Sequence, residues 1–70
     1  MEKFRNRTLA KEYNIILDSE VEISVGTIGG FSIEVKYNSP KSFDSYLYNN
    51  EEDLNHDFEL LTEMVKNNSE

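Results

Sequence analysis

Apolar residues recur at helical spacing from Glu51 to Lys66, in EEDLNHDFELLTEMVK, and this is the plainest pattern in the chain. At about 100° per residue, Leu54, Phe58, Leu61 and Val65 form one stripe, while Glu52, His56, Glu59 and Glu63 fall opposite it. Leu60 and Met64 lie a quarter turn from the apolar stripe, near Asp53 and Asp57. Asn49 or Asn50 is placed to cap this helix, and Glu51, Glu52 and Asp53 occupy its first turn, where the positive end of the helix dipole favours carboxylates. Lys66 sits in the last turn, Asn67 and Asn68 can end the helix, and Ser69 and Glu70 are expected to fray.

Two further runs alternate with period two. From Glu20 to Val25, Val21, Ile23 and Val25 oppose Glu20, Glu22 and Ser24; from Phe31 to Tyr37, Phe31, Ile33, Val35 and Tyr37 oppose Ser32, Glu34 and Lys36. The glycine-bearing segment Gly26-Thr27-Ile28-Gly29-Gly30 between them predicts an antiparallel hairpin with both apolar rows on one face. Asn38-Ser39-Pro40-Lys41 reads as a turn. Ser42 to Tyr48 admits two readings. As a strand, Phe43, Ser45 and Leu47 point one way and Asp44, Tyr46 and Tyr48 the other; as a short helix, Ser39 caps and Phe43 pairs with Leu47. The Tyr-Leu-Tyr run favours a third, edge strand.

Before the hairpin, Leu9, Tyr13, Ile16 and Leu17 share one side of a helix from about Asn6 to Ile16, capped by Asn6 or Thr8. RTLAKEYNI has the spacing of a first DNA-binding helix, but a strand follows where a basic recognition helix would have to be. The expected fold is therefore α+β: a single domain over 1–70, with a short N-terminal helix and an antiparallel hairpin or three-stranded meander packed against the C-terminal amphipathic helix.

Charge narrows the range of partners. The 70 residues carry a formal net charge of −7 and no cysteine, so neither a disulfide nor a thiolate metal site can support a small core. Lys3, Arg5, Arg7 and Lys11 make the N-terminal arm basic, whereas residues 38–70 set Lys41 and Lys66 against eight carboxylates. Such a surface repels nucleic-acid phosphates and anionic lipid, so a basic protein is the expected partner, with no direct nucleic acid and no membrane. No run is long and apolar enough to span a bilayer, and MEKFRNRTLAKEY lacks the apolar centre of a secretory signal, so a cytoplasmic location is expected. The two sequons, at Asn6 and Asn67, then carry no weight. Abundant Asn, Lys, Ile and Tyr suggest AT-rich coding, as in a low-GC bacterium or a mobile element.

Candidate chemistry is sparse. Asp53-Leu54-Asn55-His56-Asp57 matches the opening of a calcium loop, then fails at Phe58, where glycine is required, and at Met64, where a bidentate Glu is required. His56 with Glu52, Glu59 and Glu63 could offer metal ligands, but one helix seldom supplies a closed set; no metal and no cofactor are expected. The glycine loop joins strands and lacks basic residues, unlike loops that cradle phosphate. With a single His, no Cys and no serine in a nucleophile-elbow context, catalysis is not expected.

What remains is an acidic field of Asp44, Glu51, Glu52, Asp53, Asp57, Glu59 and Glu63 around Leu60 and Met64, with Tyr46 and Tyr48 nearby in sequence. The composition fits a small acidic interaction module, an inhibitor or adaptor that binds a basic nucleic-acid-binding or defence-related protein, in the manner of a DNA mimic encoded by a phage or mobile element. The expected partner-binding residues are Tyr46, Tyr48, Glu52, Asp53, His56, Asp57, Glu59, Leu60, Glu63 and Met64. The alternative is a structural homo-oligomer whose core is completed by self-association through Leu60, Met64 and the basic arm. A sensor that binds a metal or small ligand is a third class.

Overall fold

The two alternating runs pair through their backbones with their apolar rows aligned on one face, and the ambiguous third segment joins them as a strand. The computed structural model describes residues 3–68, so the expected fraying of Ser69 and Glu70 lies outside the described residues. Helix α1 (Arg7–Leu17) leads into strands β1 (Val21–Gly26), β2 (Phe31–Asn38) and β3 (Lys41–Tyr48), and helix α2 (Glu51–Asn68) follows. The strands form one antiparallel meander in the order β1-β2-β3. Its register sets Val21 opposite Tyr37, Ile23 opposite Val35 and Val25 opposite Ile33. On the other side of β2, Phe31, Ile33 and Val35 face Tyr48, Tyr46 and Asp44. Side chains alternate across a strand, so these residues share one face of the sheet.

Both helices pack on that face. Leu9 and Ile16 of α1, Ile33 and Val35 of β2, Tyr46 of β3, and Leu54 and Leu61 of α2 form the buried cluster. Phe58 and Val65 pack against it half-buried, so the predicted apolar stripe of α2 does face the core. The segment 41–48 resolves as the third strand because pairing with β2 satisfies its backbone and buries Tyr46 beneath the helices. Residues 39–40 turn the chain between β2 and β3, with a cis Ser39–Pro40 peptide.

The caps also resolve. Asn6 rather than Thr8 caps α1, its Oδ1 accepting from the Leu9 N–H at 3.0 Å. Asn50 rather than Asn49 caps α2, accepting from the Asp53 N–H at 2.8 Å. α2 continues past Lys66 to Asn68, whose amide donates to the Leu17 carbonyl at 2.6 Å and ties together the C-terminal ends of the two helices. In the four-residue loop between β1 and β2, Gly29 (φ 75°) and Gly30 (φ 136°) occupy the left-handed region that side chains avoid.

The opposite face of the sheet carries no helix. Glu22, Ser24, Lys36, Lys41, Phe43, Ser45 and Leu47 are exposed there. The core thus depends on one layer boundary. Leu61→Ala is expected to lower the unfolding free energy by about 2–5 kcal/mol through the cavity it leaves. Ile15→Ala, on the exposed side of α1, should change it by no more than about 0.5 kcal/mol. Urea denaturation of the two variants checks both values.

Candidate functional site

The C-terminal helix sorts its acids by position. Leu54, Asp57 and Leu61 are its buried residues, spaced three and four apart, so a carboxylate sits at the centre of the apolar stripe. Asp57 is fully buried. A lone buried carboxylate is costly, and here donors surround it. The Arg5 N–H donates to Oδ1 at 2.9 Å and to Oδ2 at 3.0 Å, and the Asn6 N–H donates to Oδ2 at 2.9 Å. The Tyr48 hydroxyl donates to Oδ2 at 2.6 Å. His56 Nδ1 lies 2.8 Å from Oδ1 and, against an acceptor-only carboxylate, carries the proton.

These contacts make Asp57 the fastening point of the N-terminal arm. It receives the two backbone N–H groups that enter α1, and it does so from a different helix. Burial pushes its pKa upward, but hydrogen bonds from Tyr48, Arg5, Asn6 and His56 outweigh burial and hold it below the ordinary aspartate value. The Tyr48 hydroxyl is pushed up, first by burial and then by its bond to the same carboxylate. Further ties hold the arm. Arg5 Nη1 meets Asp53 Oδ1 at 2.9 Å on the surface, and the Asn6 side-chain amide donates to the Leu47 carbonyl at 2.9 Å. The Phe4 and Tyr13 rings stack at a tilt with centroids 5.5 Å apart.

This placement corrects part of the expected binding surface. Asp57 and Tyr46 are interior, so neither offers a surface to a partner in this fold. Asp57 is held by the arm, and Tyr46 lies under the helices with its hydroxyl donating to Glu12 at 2.9 Å. Burial and then that bond push the Tyr46 hydroxyl up, so it stays a donor. Tyr48, Asp53 and His56 are half-buried and engaged in the same network. Glu52, Glu59 and Glu63 are exposed. Leu60 and Met64 are half-buried and stand apart from the apolar residues packed on the core. The structure therefore keeps Glu52, Glu59, Glu63, Leu60 and Met64 together as an accessible strip. A shallow hollow of about 340 Å³ runs along it, lined by His56, Glu59, Leu60 and Glu63.

Sequence patterning missed two groups of residues. Arg5, Asn6 and Glu12 hold the buried acid and tyrosine, and only long-range contacts identify them. Phe43 and Leu47, 63% and 77% exposed on the bare side of the sheet, were separated from Tyr46 and Tyr48 by alternation, but nothing local marks which side the helices leave open.

Asp53, Asn55 and Asp57 lie on continuous helix, with Asp53 turned to Arg5 and Asp57 to the core, and so do not wrap a common ion. Among the described residues no group of three or more His, Asp or Glu side chains is placed to hold a metal, and no helix is long and apolar enough to cross a membrane. The depressed pKa of Asp57 gives the pH dependence a sign. Between the folded and unfolded values of Asp57 the unfolded chain binds more protons, so its contribution is complete above about pH 4 and is lost as pH falls through the folded value. Acid titration of stability is expected to show this slope, reduced in Asp57→Asn. Tyr48→Phe should cost about 1.5–3 kcal/mol at neutral pH, as measured by denaturant unfolding. No protein-family model, curated protein or solved structure matches this chain.

Proposed function

We propose that this chain is a small acidic binding module, an inhibitor or adaptor whose α2 docks on the basic surface of another protein. The observation that carries the reading is the sorting of acids on α2. Asp57 and Asp53 are engaged within the fold, whereas Glu52, Glu59 and Glu63 project to solvent and form no salt bridge among the described residues. They line a stripe about 16 Å long, at a helical rise of about 1.5 Å per residue, beside the half-buried Leu60 and Met64. An apolar anchor framed by carboxylates suits a partner helix or groove that presents Lys and Arg around a hydrophobic centre.

The charge is sparse compared with a nucleic-acid duplex, which carries one phosphate per about 1.7 Å. This favours discrete docking over mimicry of a whole duplex. A basic nucleic-acid-binding or defence-related protein remains the class of partner whose surface best complements the stripe. The reading is non-enzymatic: the sole histidine is fixed to a carboxylate that already accepts from three other groups.

Immobilised wild-type protein is expected to retain a basic protein from a bacterial lysate at low salt and to release it as salt screens the stripe. Glu52→Lys, Glu59→Lys and Glu63→Lys together should abolish retention without altering the fold, and Leu60→Ala with Met64→Ala should weaken it at all salt concentrations. Retention that survives the triple reversal would refute the acidic-face reading.

A further inference from the structure

The bare side of the sheet differs in character from the rest of the molecule. Its charged residues are Glu22 and Glu34 against Lys36 and Lys41, an electroneutral set in a chain of net charge −7. Among the described residues none of these four forms a salt bridge within the chain. Phe43 and Leu47 stand beside them, 63% and 77% exposed, and a hollow of about 370 Å³ lies against Phe43, Lys36, Lys41 and Glu22. Across the outer side of α2 a second copy would meet a surface of like charge. On the bare side of the sheet it would not.

We infer that a second copy of this chain docks here, sheet against sheet, across a two-fold axis that runs across the strands at the level of Val35. The order of charges selects that axis. Rotation about it lays β2 antiparallel over its counterpart and brings Glu34 against Lys36 of the second copy, twice. It also sets Phe43 over the small Ser45 of the second copy and Leu47 over the aliphatic stem of its Lys41. An axis one residue away, at the level of Glu34, would oppose the two Glu34 carboxylates, and an axis along β2 would oppose the two Lys36 ammonium groups. Both are penalised by like-charge contact.

The area sets the strength. Three strands about 4.8 Å apart, one of six residues and two of eight at about 3.3 Å each, present a face about 14 Å wide and roughly 20–26 Å long. That is roughly 350 Å² in projection, against the roughly 800 Å² per partner of a standard interface. The association is therefore weak and depends on concentration. It leaves both copies of α2 outward, so it does not rest on the acidic-helix reading and would present two such helices on opposite sides.

Sedimentation velocity over a concentration series tests the inference on the full chain, with circular dichroism to verify that each variant is folded. The wild type is expected to shift from one-chain to two-chain mass as concentration rises. Glu34→Lys and Lys36→Glu, each creating like-charge pairs twice per dimer, should each weaken association by at least about tenfold, and the double exchange E34K/K36E should restore it. Leu47→Lys, which sets an ammonium group against that of Lys41 in the second copy twice per dimer, should leave a monomer. A wild type that stays monomeric throughout overturns the inference. A dimer indifferent to these substitutions, or a double exchange no tighter than the single variants, overturns it as well.

Discussion

A buried carboxylate fastens this fold. Asp57 sits in the apolar stripe of α2 and accepts from the backbone of Arg5 and Asn6, from the Tyr48 hydroxyl and from His56. It thereby joins the start of the first helix, the end of the edge strand and the middle of the last helix at one point. A 70-residue domain has a stability of only about 3.5–10 kcal/mol, and leaving two backbone donors and a hydroxyl unpaired around a missing carboxylate would consume a large part of it. The interaction also explains the position of α1. With its first turn held at Asp57 and its last at Asn68, α1 lies alongside α2 in the same direction, and Leu9 and Ile16 reach the core.

Placing both helices on one side leaves the molecule with two unlike surfaces. The outer side of α2 keeps the acids that the core does not use, together with Leu60 and Met64. The bare side of the sheet keeps Phe43, Leu47 and a balanced set of charges. Each follows from the same packing decision, since a second apolar face on the sheet would have required a helix to cover it. The first surface is complementary in charge to cationic groups and the second to another charge-balanced face, and the two lie on opposite sides of the molecule.

Much of this was legible in the sequence. Alternation in VEISV and FSIEVKY set the hairpin and the inward rows, and helical spacing from Leu54 to Val65 set the buried stripe. Alternation also placed Tyr46 and Tyr48 on the side of β3 away from Phe43 and Leu47, as observed. What could not be read was the fate of Asp57. Its helical position, between Leu54 and Leu61, pointed inward, but its charge pointed outward, and local pattern cannot decide between them. The donors that settle the matter lie 51 and 52 residues away along the chain, so the burial of this acid is a tertiary fact. The tyrosines were assigned to the surface for a related reason: an edge strand reads as exposed until a helix is known to cover one of its faces.

The Asp57 fastening is tested most directly by amide hydrogen exchange at Arg5 and Asn6, followed by NMR. These residues precede α1, so neither amide makes a hydrogen bond within that helix, and their protection reports the carboxylate alone. Slow exchange of both amides in the wild type, approaching free-chain rates in Asp57→Ala, which removes both acceptor oxygens, while the β2 amides stay protected, is the predicted result. Exchange of Arg5 and Asn6 at free-chain rates in the wild type would contradict the account.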